Sequence, residues 1–167
     1  MVHASGGQVN LLARQGAVTF GDAAKVSVAG QWTNDRLAPA GADTRAISMD
    51  GGQVHVTAFG DIVLSQGAVM DVSAGAWMDA KGVTHLGQAG QMDLSAGSYW
   101  DLTNADNPKL ERLTNASSTL QDNLPAGQSG AVTLDGLVQG FGFAQGASLV
   151  LRSAAITVAD GATPDAG

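Results

Sequence analysis

No cysteine occurs in the 167 residues, which excludes disulfide staples, thiol catalysis and cysteine-based zinc sites without fixing the compartment. Glutamate is almost missing as well: Glu111 is the only one among fifteen acidic residues. A chain so poor in helix formers cannot be a long-helix protein. Aromatics make up 5% of the residues, and the eight Lys and Arg are scattered singly against a net charge of −7. That leaves no basic stripe to neutralise phosphates, so nucleic-acid binding is not expected. No apolar run approaches the roughly 18 to 20 residues that span a bilayer, and no membrane span is expected. The opening Met1-Val2-His3-Ala4-Ser5 has neither the charged n-region nor the apolar h-region of an export signal.

What is abundant is glycine, at 23 residues, within a chain that is 44% hydrophobic. This is apolar enough to bury a core, and residues 1–167 read as a single unit of short strands and turns. The strongest signal is self-similarity. Gly6-Gly7-Gln8-Val9-Asn10-Leu11 returns as Gly51-Gly52-Gln53-Val54-His55-Val56 after 45 residues, and Gly30-Gln31-Trp32 returns as Gly75-Ala76-Trp77 at the same shift. Met70-Asp71-Val72-Ser73-Ala74-Gly75 returns as Met92-Asp93-Leu94-Ser95-Ala96-Gly97 after only 22. Fainter copies are Gly90-Gln91-Met92-Asp93-Leu94 and Gly130-Ala131-Val132-Thr133-Leu134.

Inside the repeats the apolar residues alternate, as in Val9-x-Leu11, Val18-x-Phe20, Val26-x-Val28 and Ile62-x-Leu64, with separators such as Gly16, Gly21-Asp22, Gly60-Asp61 and Gln66-Gly67. Such strands are short, half-buried and sharply turned. Evenly spaced strands alone would suit a sandwich or a barrel. Whole phrases that recur point instead to a parallel β-helix, in which like positions stack from one rung to the next. The fold class is thus all-β, a right-handed parallel β-helix with loop excursions, its hand following the preference of parallel crossovers. If 22 residues make one rung, the chain holds about eight rungs and a rod near 40 Å long. Two excursions interrupt it, at 36–44 and 101–129. In the second, Asn107 and Pro108 suit the start of a short helix. Neither end reads as a cap, so the chain is expected to be an internal segment of a longer rod.

Phrases such as Gly52-Gln53-Val54-His55-Val56-Thr57-Ala58, Gly67-Ala68-Val69-Met70-Asp71-Val72-Ser73-Ala74-Gly75 and Gly30-Gln31-Trp32-Thr33-Asn34-Asp35 resemble the shaft of filamentous haemagglutinin-like exoproteins, the large secreted partners of two-partner secretion systems. The resemblance covers most of the chain and implies a right-handed β-helical rod, secreted by or displayed on a Gram-negative bacterium. It further implies an outer-membrane transporter as partner during export, and a role in adhesion through a host-cell or glycan receptor or as carrier of a distal effector. An amino-terminal secretion domain and an Arg-Gly-Asp tripeptide are not recognisable, so no site residue is transferred from the family. A passenger segment of a single-chain autotransporter differs only in export route.

The other class is a polysaccharide-active β-helix enzyme, a lyase or hydrolase, which needs clustered carboxylates. If the 22-residue shift is one rung, Asp71 and Asp93 stack about 4.8 Å apart. The plainer reading is two solvated outward side chains with no cation in register, Arg152 and Lys81 falling elsewhere. His3, His55 and His85 have no metal-ligand spacing, the glycine-rich calcium nonapeptide is missing, and no Gly-x-Ser-x-Gly elbow occurs. Neither catalysis nor a cofactor is therefore expected. Trp32, Trp77 and Trp100 each follow an Ala-Gly pair. Indoles at such corners are expected to cover a bend, the alternative being a ladder on which a glycan stacks.

Overall fold

The computed structural model describes residues 1–36, 48–101, 109–112, 124, 126–153, 155–158 and 164–165, and among these there is no helix. Strands β1 (Val2–His3), β4 (Lys25–Ser27), β8 (Val69–Asp71), β15 (Leu137–Gln139) and β18 (Pro164–Asp165) form one parallel sheet, called sheet 3. Strands β2 (Gln8–Ala13), β6 (Gln53–Ala58), β11 (Gln91–Ser95) and β16 (Ser148–Arg152) form sheet 1. Strands β3 (Val18–Phe20), β7 (Ile62–Leu64), β14 (Ala131–Leu134) and β17 (Ala155–Val158) form sheet 2. After β1 the chain visits sheets 1, 2 and 3 in that order four times, and every pairing within the three sheets is parallel.

The alternating pattern explains the core. In sheet 1 the rows Val9–Val54–Met92–Leu149 and Leu11–Val56–Leu94–Leu151 run across the strands, and in sheet 2 Val18–Ile62–Val132 and Phe20–Leu64–Leu134 do the same. Sheet 3 adds Val26–Met70–Val138. These rows, apart from the exposed Leu11, make with Val28, Ala58, Ala68, Val72 and Ala96 one contiguous apolar cluster between the sheets. Because side chains alternate across a strand, the residues between them face outward.

The circuit is longer than 22 residues and irregular. Val9 to Val54 spans 45 residues, Val54 to Met92 spans 38, and Met92 to Leu149 spans 57. The 45-residue repeat is therefore one circuit, and the 22-residue repeat is none, since Met70 lies on sheet 3 and Met92 on sheet 1. Among the described residues there are four circuits where eight were expected. The extra length goes into lateral structure: β5 (Trp32–Asn34), β9 (Ala76–Met78) and β10 (Thr84–Leu86) form a three-stranded sheet in which β5 and β9 are parallel and β10 is antiparallel. Strands β12 (Ser98–Asp101) and β13 (Lys109–Arg112) pair antiparallel. The sequence after Pro108 is thus extended where a helix was expected, while Asn107 and Pro108 themselves lie outside the described residues. So does the expected excursion 36–44, apart from Arg36, and much of 101–129.

Glycine forms the corner where sheet 3 and the lateral strands give way to sheet 1. Gly7, Gly52 and Gly90 stack just before the in-register Gln8, Gln53 and Gln91, with Gln53 N donating to Gly7 O at 2.9 Å and Gln91 N to Gly52 O at 3.1 Å. A Cβ on Gly52 would sit 1.9 Å from Gly7 O, and one on Gly90 1.9 Å from Gly52 O. The recurring Gly-Gln phrase is thus the mark of a corner at which backbones touch.

Candidate functional site

Two open grooves lie outside the core. The first crosses the lateral sheet and is lined by Trp32, Thr33, Asn34, Ala76, Met78 and Thr84, with a volume of about 260 Å³. Parallel register sets Trp32 beside Ala76 and Asn34 beside Met78, and antiparallel register sets Thr84 beside Met78. Alternation puts these side chains on one face and Thr33, Trp77 and His85 on the other. Trp32 is 72% exposed, and its ring lies 5.5 Å from that of Phe143 at an interplanar angle of 57°. The Asn34 Oδ1 accepts a hydrogen bond from Arg36 N at 3.1 Å. No charged side chain is among the described residues that line the groove.

The opposite face of the same sheet is tied down by polar contacts. Trp77 Nε1 donates to Asp35 Oδ2 at 2.7 Å, and its indole stacks on His85 with centroids 4.8 Å apart. His85 Nε2 lies 3.3 Å from Asp79 Oδ2. The Asp79 Oδ1 caps the β9–β10 turn by accepting from Val83 N at 2.8 Å and Lys81 N at 2.9 Å. Those bonds, that from Val83 foremost, and His85 hold the Asp79 carboxyl below the usual carboxylate range against a smaller opposing effect of burial.

The second groove, about 340 Å³, runs over the outer face of sheet 1 and is lined by Asn10, Leu11, Leu12, His55, Thr57, Asp93 and Ser95. Asn10, His55 and Asp93 share one outward row, and Leu12, Thr57, Ser95 and Arg152 the next. Arg152 pairs with Asp93, whose other oxygen accepts from Ser95 Oγ at 3.0 Å. Asp93 has no cation in register, its neighbour on β16 being Val150, but it is not a lone solvated carboxylate. Arg152 stands opposite Ser95 on the neighbouring strand and reaches diagonally, a neighbour hidden by a circuit of 57 residues.

Asp71 and Asp93 are not stacked. Asp71 lies on sheet 3 between Ser27 and Gln139, where its Oδ1 accepts from Ser73 N at 2.9 Å, and Asp93 lies on sheet 1 between His55 and Val150. The tryptophans form no ladder from Trp32 to Trp77, because the register sets Trp32 beside Ala76 and Trp77 beside Thr33. Trp100 belongs to β12, but its side chain is outside the described residues. His3 contacts Ser5, His55 contacts Gln53 and His85 contacts Asp79. Among the described residues no three His, Asp or Glu side chains gather as a metal site.

Two further acidic residues close the necks of the lateral structure: Asp61, whose only mark in the sequence is the Gly60-Asp61 turn signal, and Asp50, which carries no sequence signal. Asp50 Oδ1 accepts from Gln88 N at 2.8 Å, and Asp61 Oδ1 accepts from Ser129 N and Ala131 N, both at 2.9 Å. Each lets a chain that has left the three sheets rejoin them with its backbone donors satisfied. Chemically, the first groove offers an indole face with amide and hydroxyl groups, and the second a single carboxylate already engaged by a guanidinium. The chain matches no protein-family model, no curated protein and no solved structure.

Proposed function

We propose that the three sheets are the faces of a right-handed parallel β-helix, and that it serves as a structural shaft segment of a large exoprotein, secreted by or displayed on a Gram-negative bacterium, which holds lateral strands and loops clear of its axis for adhesion. The observation that carries this reading is the constant order of sheets 1, 2 and 3 over four circuits, with aliphatic rows in register despite circuits of 45, 38 and 57 residues. A scaffold that absorbs additions at its corners without shifting its rows suits presentation. The hand follows the general preference of parallel crossovers. Export through an outer-membrane transporter is supported by the resemblance of the repeat phrases and by a chain without cysteine.

The cysteine-free chain allows the register to be tested directly. Neighbouring parallel strands lie about 4.8 Å apart, within reach of a disulfide. Cysteines at Asn10 and His55 should cross-link on mild oxidation, and so should cysteines at Gln53 and Gln91, whereas a pair at Asp71 and Asp93 should stay reduced. Cross-linking of the last pair alone would sink the three-sheet circuit. The biological role is tested with an antibody against this segment on the producer's medium, protease-shaved cells and cytosol. A large, released or shaving-sensitive band is expected; a cytosolic band of the chain's own 16.8 kDa would end the shaft reading.

A polysaccharide-active enzyme has one observation in its favour, the shared groove of Asp93, His55 and, through Asp93, Arg152. Hydrolysis by a carboxylate pair finds one carboxylate there, so elimination assisted by His55 is the form that fits. Chain cleavage of acidic polysaccharides that disappears in His55→Ala is the result this reading requires. Intact polymers after prolonged incubation would dismiss it.

A further inference from the structure

We infer that the Trp32 face of the lateral sheet is a binding site for a neutral saccharide. The inference stands apart from the shaft and export readings, since it rests only on the three-stranded sheet and the segment that packs on it.

Large indoles are seldom left open on a protein surface unless something else covers them, and Trp32 is 72% exposed. Its counterpart in the repeated phrase, Trp77, shows the alternative fate: on the opposite face of the sheet it is hydrogen-bonded through Nε1 and stacked on His85. Among the described residues no hydrogen bond engages the Trp32 nitrogen, and Phe143 meets the ring at a tilt rather than lying flat along it. A flat apolar face thus remains beside an open groove of about 260 Å³.

The polar groups select the ligand's class. Asn34 lies two residues along the same face, roughly 6.6 Å from Trp32 by strand geometry, and Thr84 is diagonal to it across β9. Because Asn34 Oδ1 is fixed by Arg36 N, the side chain is held and its NH₂ is the group left to donate. A few oriented amide and hydroxyl groups beside an apolar wall match a ring with a C–H face and a rim of hydroxyls. Among the described residues the lining carries no charge, and the acidic residues of this sheet, Asp35 and Asp79, serve the other face. A net charge of −7 further disfavours an anionic polymer. An aliphatic or peptide partner would leave the Asn34 amide and the Thr84 hydroxyl unsatisfied if it covered them.

The test uses the purified chain with neutral oligosaccharides of glucose, mannose, galactose and N-acetylglucosamine, and with one sulfated and one carboxylated oligosaccharide. Tryptophan fluorescence and ligand-observed NMR are followed to millimolar concentration. At least one neutral series should bind saturably. Trp32→Ala should weaken it tenfold or more, and Asn34→Asp, which keeps the acceptor for Arg36 N and removes the NH₂, by roughly fivefold. Circular dichroism of both variants should match the parent, as Trp32 lies outside the core. Three results overturn the inference: no neutral sugar binds, binding survives Trp32→Ala in full, or only the charged oligosaccharides bind.

Discussion

The strands β2 and β6 carry nearly the same phrase, Gly-Gly-Gln-Val-Asn-Leu and Gly-Gly-Gln-Val-His-Val, yet they are buried differently. In β6 every inward residue is fully covered, Val54, Val56 and Ala58 alike, whereas in β2 Leu11 is 36% exposed. The difference is not in propensity. β6 is flanked by β2 and β11, while β2 pairs with β6 alone among the described residues. An inward position in this architecture becomes a core position only when strands cover it on both sides, so the core is a property of stacking and not of any single strand. Among the described residues the open side of β2 is also an unpaired edge, bearing exposed Leu11 and Leu12, the kind of surface on which another strand pairs.

The sharpest way to break the comparison is at the corner glycines that open the two phrases. Gly52→Ala puts a methyl against the Gly7 carbonyl, where its nearest neighbours are all backbone atoms of Gly6 and Gly7 and no flexible side chain is there to yield. It should destabilise the chain by about 3 kcal/mol or more in urea unfolding. Gly7→Ala meets the Ala4 carbonyl oxygen at 2.9 Å and the Ala4 Cβ at 3.0 Å, a contact about 1 Å looser than that at Gly52, and should cost about 1 kcal/mol. Equal losses would mean that the corner column is no tighter in the middle than at its end.

Next in size is a truncation within one row. Leu94 and Leu11 belong to the same line of side chains, Leu11–Val56–Leu94–Leu151, but Leu94 is 0% exposed. Leu94→Ala should cost about 3 to 4 kcal/mol, and Leu11→Ala about 1 kcal/mol, at unchanged dependence on denaturant. If Leu11 proved as costly as Leu94, its open side would have to be covered in solution.

Much of this was written in the sequence, and the parts that were not share a cause. Alternation is local, so the all-β class, the short strands and the inward Val, Leu, Ile and Met could be read directly. The Gly-Gln phrase was visible because steric contact at the corner tolerates little else. The period is not legible in the sequence, because Met-Asp-x-Ser-Ala-Gly is corner grammar used on two different sheets, and lateral insertions give the circuits different lengths. Trp32 and Trp77 show how finely this matters. Ala13 pairs with Ala58, a shift of 45, but Val18 pairs with Ile62, a shift of 44. The residue lost between β6 and β7 carries through to the lateral sheet, and a one-residue slip turns a side chain to the opposite face. Two tryptophans that align at 45 in sequence therefore share no face. The Asp93–Arg152 pair was hidden for a related reason, since nothing local announces a diagonal neighbour across 59 positions.

That pair offers a smaller test, because it sits outside the row it borders. Arg152 is partly exposed, so Arg152→Ala should cost only about 0.5 to 1 kcal/mol. The loss should also shrink in high salt, which screens exposed charges, while the penalty of Leu94→Ala should persist. A salt-independent loss would mean that the Arg152 stem matters through packing.

The smallest expected effect lies furthest from the rows, at the β9–β10 turn. The Asp79 carboxyl is held below the usual carboxylate range by the N–H of Val83 first, with His85 and the N–H of Lys81 assisting. A carboxyl whose folded pKa is depressed contributes stability that is fully present above its unfolded value, near pH 3.9, and is lost as pH falls through the folded value. Above that range the turn should be held; below about pH 4 the Lys81 and Val83 amides should progressively lose protection from hydrogen exchange. Asp79→Asn keeps an oxygen acceptor but does not titrate, so protection in that variant should be lower at neutral pH and no longer depend on acid. Since the turn lies outside the stacked rows, acidification should leave the gap between Leu94→Ala and Leu11→Ala unchanged until the whole chain unfolds. A gap that closed in step with the Asp79 titration would show that the lateral sheet and the core unfold as one unit.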